Sequence, residues 1–326
     1  MRVYFTTDTE TSLGGAWRNP EWEPLPLDIT VFGKYGSRYY GIPLIMDILE
    51  QHGFRGTFFV EVFCAYLKGY EAVAAVFETI RKRGHDAQLH LHPVQRFYRD
   101  YRAGQPRREV DLMFQLAANE QQDLIGEGVK LFRLLSSTSP IAYRAGCYGA
   151  GESTMPALLA NGIVIDSSYN ATHIGDSCGF HTPGLNAPTM IGGVHEFPVT
   201  VFRSPWSSGY KPMEIGAVSV DEILATLGGL REAGCQDAVI SIHSFSFLKN
   251  AGVRYENCKP DHIVIGRFRK LCEALSRMRG EVEVKVLGEA DLKAISFQQP
   301  QTVPSVGWLR PTARKFVQGI NRFAWT

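Results

Sequence analysis

Four segments that read as β-strands end in side chains able to do chemistry: Asp8 with Glu10, His90 with His92, Arg144, and His243. Residues two apart on a strand face the same way, so Asp8/Glu10 and His90/His92 can each aim a pair at one centre. Two imidazoles and a carboxylate suffice for a catalytic zinc-type site that leaves positions open for water and substrate. Each piece alone has an ordinary explanation. A His-x-His pair can be structural, an Asp at a strand end can cap a turn or helix, and His243 can be a satisfied core histidine. Arg144 can neutralise a helix C-terminus. Taken together, these ordinary explanations need four unrelated accidents at one edge of one sheet.

The elements that must position these residues alternate along the chain. Val3 to Thr7 is β-branched and aromatic and reads as a strand, and Pro43 to Glu50 has apolar residues at helical spacing with Gly53 as its stop. Strand Thr57–Val60, helix Tyr70–Arg83 and strand Ala87–His92 follow. Then come a helix over Val110 to Leu135, strand Ile141–Arg144, a helix after Gly151, strand Gly162–Ser167 and strand Glu196–Val199. Helix Asp221–Ala233, strand Ala238–His243, helix His262–Met278 and strand Val282–Leu287 complete the series. Such alternation predicts parallel strands with crossover helices and a site at the strands' C-terminal ends, as in a doubly wound sheet or a barrel. Residues 11 to 42 form a long Gly-, Pro- and aromatic-rich connection, which reads as a lid or rim.

The order of the motifs resembles the polysaccharide deacetylase family, or NodB-homology domain, over roughly residues 1 to 295. Thr6-Thr7-Asp8-Thr9-Glu10 resembles its first motif, and Gly84-His85-Asp86-Ala87-Gln88-Leu89-His90-Leu91-His92-Pro93 its second. Gly56-Thr57-Phe58-Phe59-Val60 is similar to a structural strand of these proteins. Tyr143-Arg144-Ala145-Gly146-Cys147-Tyr148-Gly149 resembles the third motif, Asp166-Ser167-Ser168-Tyr169 the fourth, and Ile240-Ser241-Ile242-His243 the fifth. The chain departs from the usual pattern in two places. Thr9 separates two acids that are often adjacent, and the second motif more usually spaces its histidines four apart, where this chain has Val94.

The resemblance implies an α/β fold, a distorted (β/α) barrel of about seven strands over residues 1–296; residues 297–326, which stand apart by their basic composition, read as a C-terminal helical appendage. It implies hydrolysis of an N-acyl or O-acyl group on a sugar, and the leading expectation is a carbohydrate deacetylase that removes an N-acetyl or N-formyl group from an amino sugar during surface polysaccharide assembly. In that reading Asp8 is the general base and Glu10, His90 and His92 hold one divalent metal ion, Zn2+ by expectation, with His85 as the alternative to His92. Arg144 orients Asp8, His243 is the general acid and Asp166 pairs with His243. A backbone N–H near Cys147 or Tyr148 contributes to the oxyanion site. Amide hydrolysis needs these three services in any case: water activation, oxyanion stabilisation and protonation of a departing amine.

Composition narrows the partners. With 34 Lys and Arg against 33 Asp and Glu, the formal charge of +1 lacks the basic field that nucleic-acid binding requires. The six cysteines are scattered without C-x-x-C spacing, which argues for reduced thiols. No apolar run approaches the roughly 18 residues of a membrane span, and the N-terminus has no basic region followed by an apolar stretch, so a cytoplasmic protein is expected. Arg96, Arg99, Arg102, Arg107 and Arg108, interleaved with Phe97, Tyr98 and Tyr101, follow the histidine pair. They read either as a phosphate grip for a nucleotide-linked or lipid-diphosphate-linked substrate, Arg96 and Arg99 foremost, or as a solvated helix face with Asp100 and Glu109.

The tail carries Lys293, Arg310, Arg314, Lys315 and Arg322 with no acid, and Ala313, Phe316, Val317, Ile320 and Phe323 recur at helical spacing. This basic amphipathic helix either docks its apolar stripe on the barrel or gives a peripheral contact with the inner face of an anionic membrane. Two other functions compete with the deacetylase: a catalytically silent sugar-binding or scaffold protein on the same barrel, and a metal-independent cyclic amide hydrolase.

Overall fold

The first strand sets the plan. β1 (Arg2–Thr9) is buried almost throughout, as a strand covered on both faces must be. The computed structural model describes residues 1–205, 209–250 and 252–323. Along the chain, β2 (Thr57–Glu61), β3 (Asp86–Leu91), β4 (Ala142–Ala145), β5 (Ile165–Asp166), β6 (Thr189–Ile191), β7 (Val194–Glu196), β8 (Asp237–His243) and β9 (Glu283–Lys285) join it in one sheet. The order is β8-β1-β2-β3-β4-β5-β7, each strand parallel to its neighbour, with β6 antiparallel at the edge and β9 alongside the start of β1. Beyond β7 the chain returns to β8: Thr200 N–H donates to Val239 O, and Ser241 N–H donates to Met213 O. The sheet therefore curls toward a distorted barrel.

Crossover helices cover the outside. They are α1 (Ile42–Glu50), α2 (Tyr70–Lys82), α3 (Pro93–Arg102), α4 (Ala118–Ser136), α5 (Met155–Ala160), α6 (Val220–Glu232) and α7 (His262–Arg277). Local chemistry fixes their starts. Pro lies in the first turn of α1, α3 and α5, a Ser219/Glu222 capping box opens α6, and the Asp261 carboxylate accepts from the N–H groups of Ile263 and Val264 at α7. Residues 110–117, expected to begin a helix, are irregular with a short 3-10 turn at Met113–Gln115, and α4 starts at Ala118. There the Asp111 carboxylate takes partners outside its own segment, His92 and the N–H of Val94, and this tertiary contact overrides the periodicity.

The strands' period of two divides the side chains into two sets. Tyr4, Phe59, Ala142, Ile165, Phe197 and Val239 meet in an apolar plug inside the barrel. Val3, Phe5, Phe58, Leu89, Tyr143 and Ile240 belong to the larger core between sheet and helices. Counting on from the plug, Asp8, His90, Arg144 and His243 fall on the interior face one layer nearer the strands' C-terminal ends. The tail closes the opposite end. Gln299 accepts from Gln236 N–H and donates to Asp237 Oδ2, each at 2.6 Å, and Gln301 Oε1 accepts from the N–H groups of Asn186 and Ala187.

Helix α8 (Leu309–Phe323) then lies against α6, and a buried ion pair joins the two. Arg314, expected on an outer face, is buried with its Nε 2.8 Å from Glu222 Oε2. Phe316 is 72% exposed, Ala313 is exposed too, and Val317, Ile320 and Phe323 lie outside the described side chains. A fully buried Glu222 needs a cation, and Arg314 supplies it. No helix among the described residues is long and apolar enough to cross a membrane.

Candidate active site

His90 stands on β3, and His92 follows the strand as the residue that opens α3. His90 Nδ1 lies 2.7 Å from the carbonyl oxygen of Arg144, which can only accept, so Nδ1 carries a proton and Nε2 is the atom turned to the site. His92 Nδ1 lies 2.7 Å from Asp111 Oδ2, which likewise places a proton on Nδ1. The two Nε2 atoms converge on one oxygen, Glu10 Oε2, at 2.9 and 2.6 Å. One ligand atom from each of Glu10, His90 and His92 lies within 4.8 Å of the others.

This donor set fits a divalent cation. Both imidazoles are oriented from behind, by a backbone carbonyl and by a carboxylate, as metal-bound histidines usually are. The electrostatics agree. Burial opposes the charge on Glu10, but the two imidazoles outweigh it and hold its carboxyl well below the usual range. Burial also opposes a charged His92, but Asp111 and Glu10 outweigh it and push the ring well above the ordinary imidazole value. The pocket thus favours positive charge between its carboxylates.

Asp111 was invisible to motif reading because it falls inside the stretch expected to be helical. The loop after β4 completes the cup. A Cβ on Gly146 would sit 2.4 Å from His92 Nδ1, so only glycine lets the chain pass so close to that ring. Cys147 and Tyr148 follow with φ of 54° and 58°, two successive non-glycine residues in the left-handed region beside the site. Cys147 is exposed and Tyr148 buried. His85 is elsewhere: its Nδ1 accepts from Gly56 N–H at 3.0 Å and its Nε2 meets Glu50, so it ties β2 to α1 and is no alternative to His92.

Beside the histidines lies a second group. Arg144, with no exposed surface, places Nη1 2.6 Å from Asp8 Oδ1, Nε 2.8 Å from the Ser167 carbonyl and Nη2 2.8 Å from Ser167 Oγ, with its guanidinium over the Phe59 ring. Asp8 Oδ2 faces His243 Nε2 at 3.8 Å. On the far side of that ring, Nδ1 faces Glu214 Oε1 at 3.6 Å. Burial alone would lower His243, but Glu214, Asp8 and Glu10 outweigh it and raise the ring to about 9. His243 therefore carries a proton at neutral pH. Its ring also lies 5.1 Å from that of Phe245, which in turn meets Tyr255.

The expected Asp166–His243 pair does not form. Ile165 points into the barrel plug, so alternation turns Asp166 to the outer face of the sheet, opposite Glu196 in register. There Ser168 Oγ donates to Asp166 Oδ1 at 2.5 Å, and burial raises the pKa of both carboxyls. Glu214 takes the position beside His243. It comes from the segment that returns along β8, where a short bridge joins Glu214 to Ser241 and no sequence motif marks it.

Arg96 and Arg99 are likewise engaged. Arg96 pairs with Glu127 and Asp100, and Arg99 with Asp100 and Glu127 while stacking on Tyr66. Arg107 and Arg108 pair with Glu109 and Glu120. Arg96 and Arg108 help line a groove of about 720 Å³ beside α3 and α4, together with Glu120 and Glu127. The described arginines form a charge-paired helix face, not a set of bare cations.

No protein-family model matches the chain, and no curated protein sequence matches it significantly. Solved structures do. A candidate polysaccharide deacetylase from Mycobacterium smegmatis is similar with a TM-score of 0.52 over 89% of this chain and 94% of its own, at 14% identity. A 4-α-glucanotransferase from Thermococcus litoralis is similar with a TM-score of 0.54 over 99% of this chain, also at 14% identity, and the chain covers 46% of that protein. At such identities the likeness is one of fold, and the fold of this chain is the NodB-like distorted α/β barrel of the deacetylase structure.

Proposed function

We propose that this protein is a metal-dependent hydrolase that removes an N-acetyl or N-formyl group from an amino sugar. The observation that carries the reading is the convergence of His90 and His92 Nε2 on Glu10 Oε2, beside an Asp8 held by Arg144 and faced by His243. A divalent cation held by Glu10, His90 and His92, zinc by its mixed N and O donors, would supply Lewis acidity that acidifies water and polarises a carbonyl.

The chain's own residues do the rest. Asp8 Oδ2, the oxygen not taken by Arg144, accepts a proton from water as that water's oxygen bonds to the acyl carbon. Arg144 fixes Asp8 in position through the hydrogen bond from Nη1 to Oδ1, which leaves Oδ2 free for the water. His243 starts protonated, held so by Glu214 and Asp8, and gives its Nε2 proton to the sugar nitrogen as the C–N bond breaks. An amide nitrogen cannot leave as an anion, so this proton is required. The loop Gly146–Tyr148 lies where peptide N–H groups can meet the oxyanion.

Phe245 and Tyr255 offer apolar faces next to His243 for a sugar ring. A place in surface polysaccharide assembly, with nucleotide-linked or lipid-linked amino sugars as substrates, is part of the proposal. The paired state of Arg96 and Arg99 gives a phosphate grip no support. The test is direct: the purified, metal-loaded protein is incubated with N-acetyl and N-formyl amino sugars, free and nucleotide-linked, and released acetate and formate are followed by NMR. Release of either acid that Asp8→Asn abolishes supports the reading. Release of neither from any donor overturns it.

A further inference from the structure

His92 has two faces, and the second carries its own set of donors. On the side away from Glu10, His92 Nδ1, Asp111 Oδ2 and Cys147 Sγ come together: Nδ1 is 2.7 Å from Oδ2, Sγ is 3.6 Å from the same oxygen, and one ligand atom of each residue lies within 4.8 Å of the others. The thiol is on the exposed side of the cup, on a loop whose unusual backbone brings it there. Imidazole, carboxylate and thiol at such spacing are a ligand set for a soft or borderline divalent ion.

We propose that His92, Asp111 and Cys147 form a second, regulatory site for a thiophilic metal such as zinc or cadmium, which competes with the Glu10–His90–His92 site for His92. A neutral imidazole has one lone pair, so a metal on Nδ1 and a metal on Nε2 cannot both be served unless the ring gives up its last proton. Binding at the second site also draws Asp111 from its task of orienting His92 and releases two protons to solvent, one from the Cys147 thiol and one from His92 Nδ1, while Nε2, freed by the first ion, takes one up. A second zinc ion therefore binds only at higher concentration, by taking His92 from the first, which stays on Glu10 and His90 and is held more weakly. The inference shares His92 with the proposed centre but does not depend on which reaction that centre performs.

The test is a cadmium titration of the full-length protein, freed of metal by chelation, with bound ion counted by equilibrium dialysis and thiolate-to-cadmium charge transfer followed in the ultraviolet. The proposal expects two binding steps, with the thiolate band growing only in the second. Cys147→Ser should lose the band and weaken the second step at least about tenfold, while the first step remains. Cys258→Ser changes the other cysteine that is not buried and should keep the band. Glu10→Gln should weaken the first step yet keep the band, which separates this inference from the deacetylase reading. A band that survives Cys147→Ser, or no band in the unmodified protein, overturns the proposal. A band that grows with the first equivalent also overturns it, since Cys147 would then belong to a single centre.

Discussion

Asp8 and His243 are register partners on the adjacent parallel strands β1 and β8, and their side chains face each other at 3.8 Å on the barrel's inner wall. Each is held from the other side, Asp8 by Arg144 and His243 by Glu214. A candidate base and a candidate acid thus flank one small volume beside the histidine pair.

If Asp8 takes the proton and does not hold metal, Asp8→Asn should lower turnover by about 100- to 10,000-fold and leave metal content unchanged. Steady-state kinetics with elemental analysis of the same sample checks this. Metal loss equal to that of Glu10→Gln would merge the two roles.

Arg144 is a buried cation whose partner is also buried. Arg144→Met should leave Asp8 without its counter-charge and cost about 3–5 kcal/mol of stability, read from urea unfolding. A loss under about 1 kcal/mol would mean that solvent already reaches Asp8.

The alkaline limb of the pH–rate profile should reflect His243, which must be protonated to act and is raised to about 9. Glu214→Gln removes the carboxylate that does most to raise it, so the limb should move to lower pH with little change on the acid side. A limb that stays in place would take His243 or Glu214 out of the proton-donating role.

The outer-face pair Asp166 and Glu196 makes a prediction about stability alone. Burial raises both carboxyls, so the native state keeps a proton that the unfolded chain gives up. That contribution is fully present below the ordinary carboxylate range and fades as pH rises through the raised native value. Glu196→Gln donates a hydrogen bond without needing a proton. Its Tm relative to the unmodified protein should therefore rise by a few degrees, on the order of 1 kcal/mol, between about pH 5 and pH 8. A constant difference across that range would contradict a shared proton.

Much of this was legible in the sequence because the barrel obeys simple periods. Strands ending in Asp8, His90, Arg144 and His243 were recognisable from β-branched and aromatic runs, and the alternation of strand and helix gave the parallel sheet. The same period of two, applied one strand further, would have turned Asp166 outward, since Ile165 belongs to the apolar plug. Asp111 and Glu214 were not legible. Both sit in irregular segments brought to the site by tertiary contacts, Asp111 by His92 and Val94, Glu214 by the return of the chain along β8. In the tail the apolar spacing was visible, but the buried Glu222 that draws in Arg314 lies some ninety residues earlier.

The central claim is that Glu10, His90 and His92 are the metal ligands of a hydrolytic centre, and elemental analysis of the purified protein and its variants tests it most directly. One divalent ion per chain is predicted for the unmodified protein and for Asp8→Asn, with marked loss in Glu10→Gln, His90→Ala and His92→Ala. Full retention of metal by both histidine variants would contradict the account.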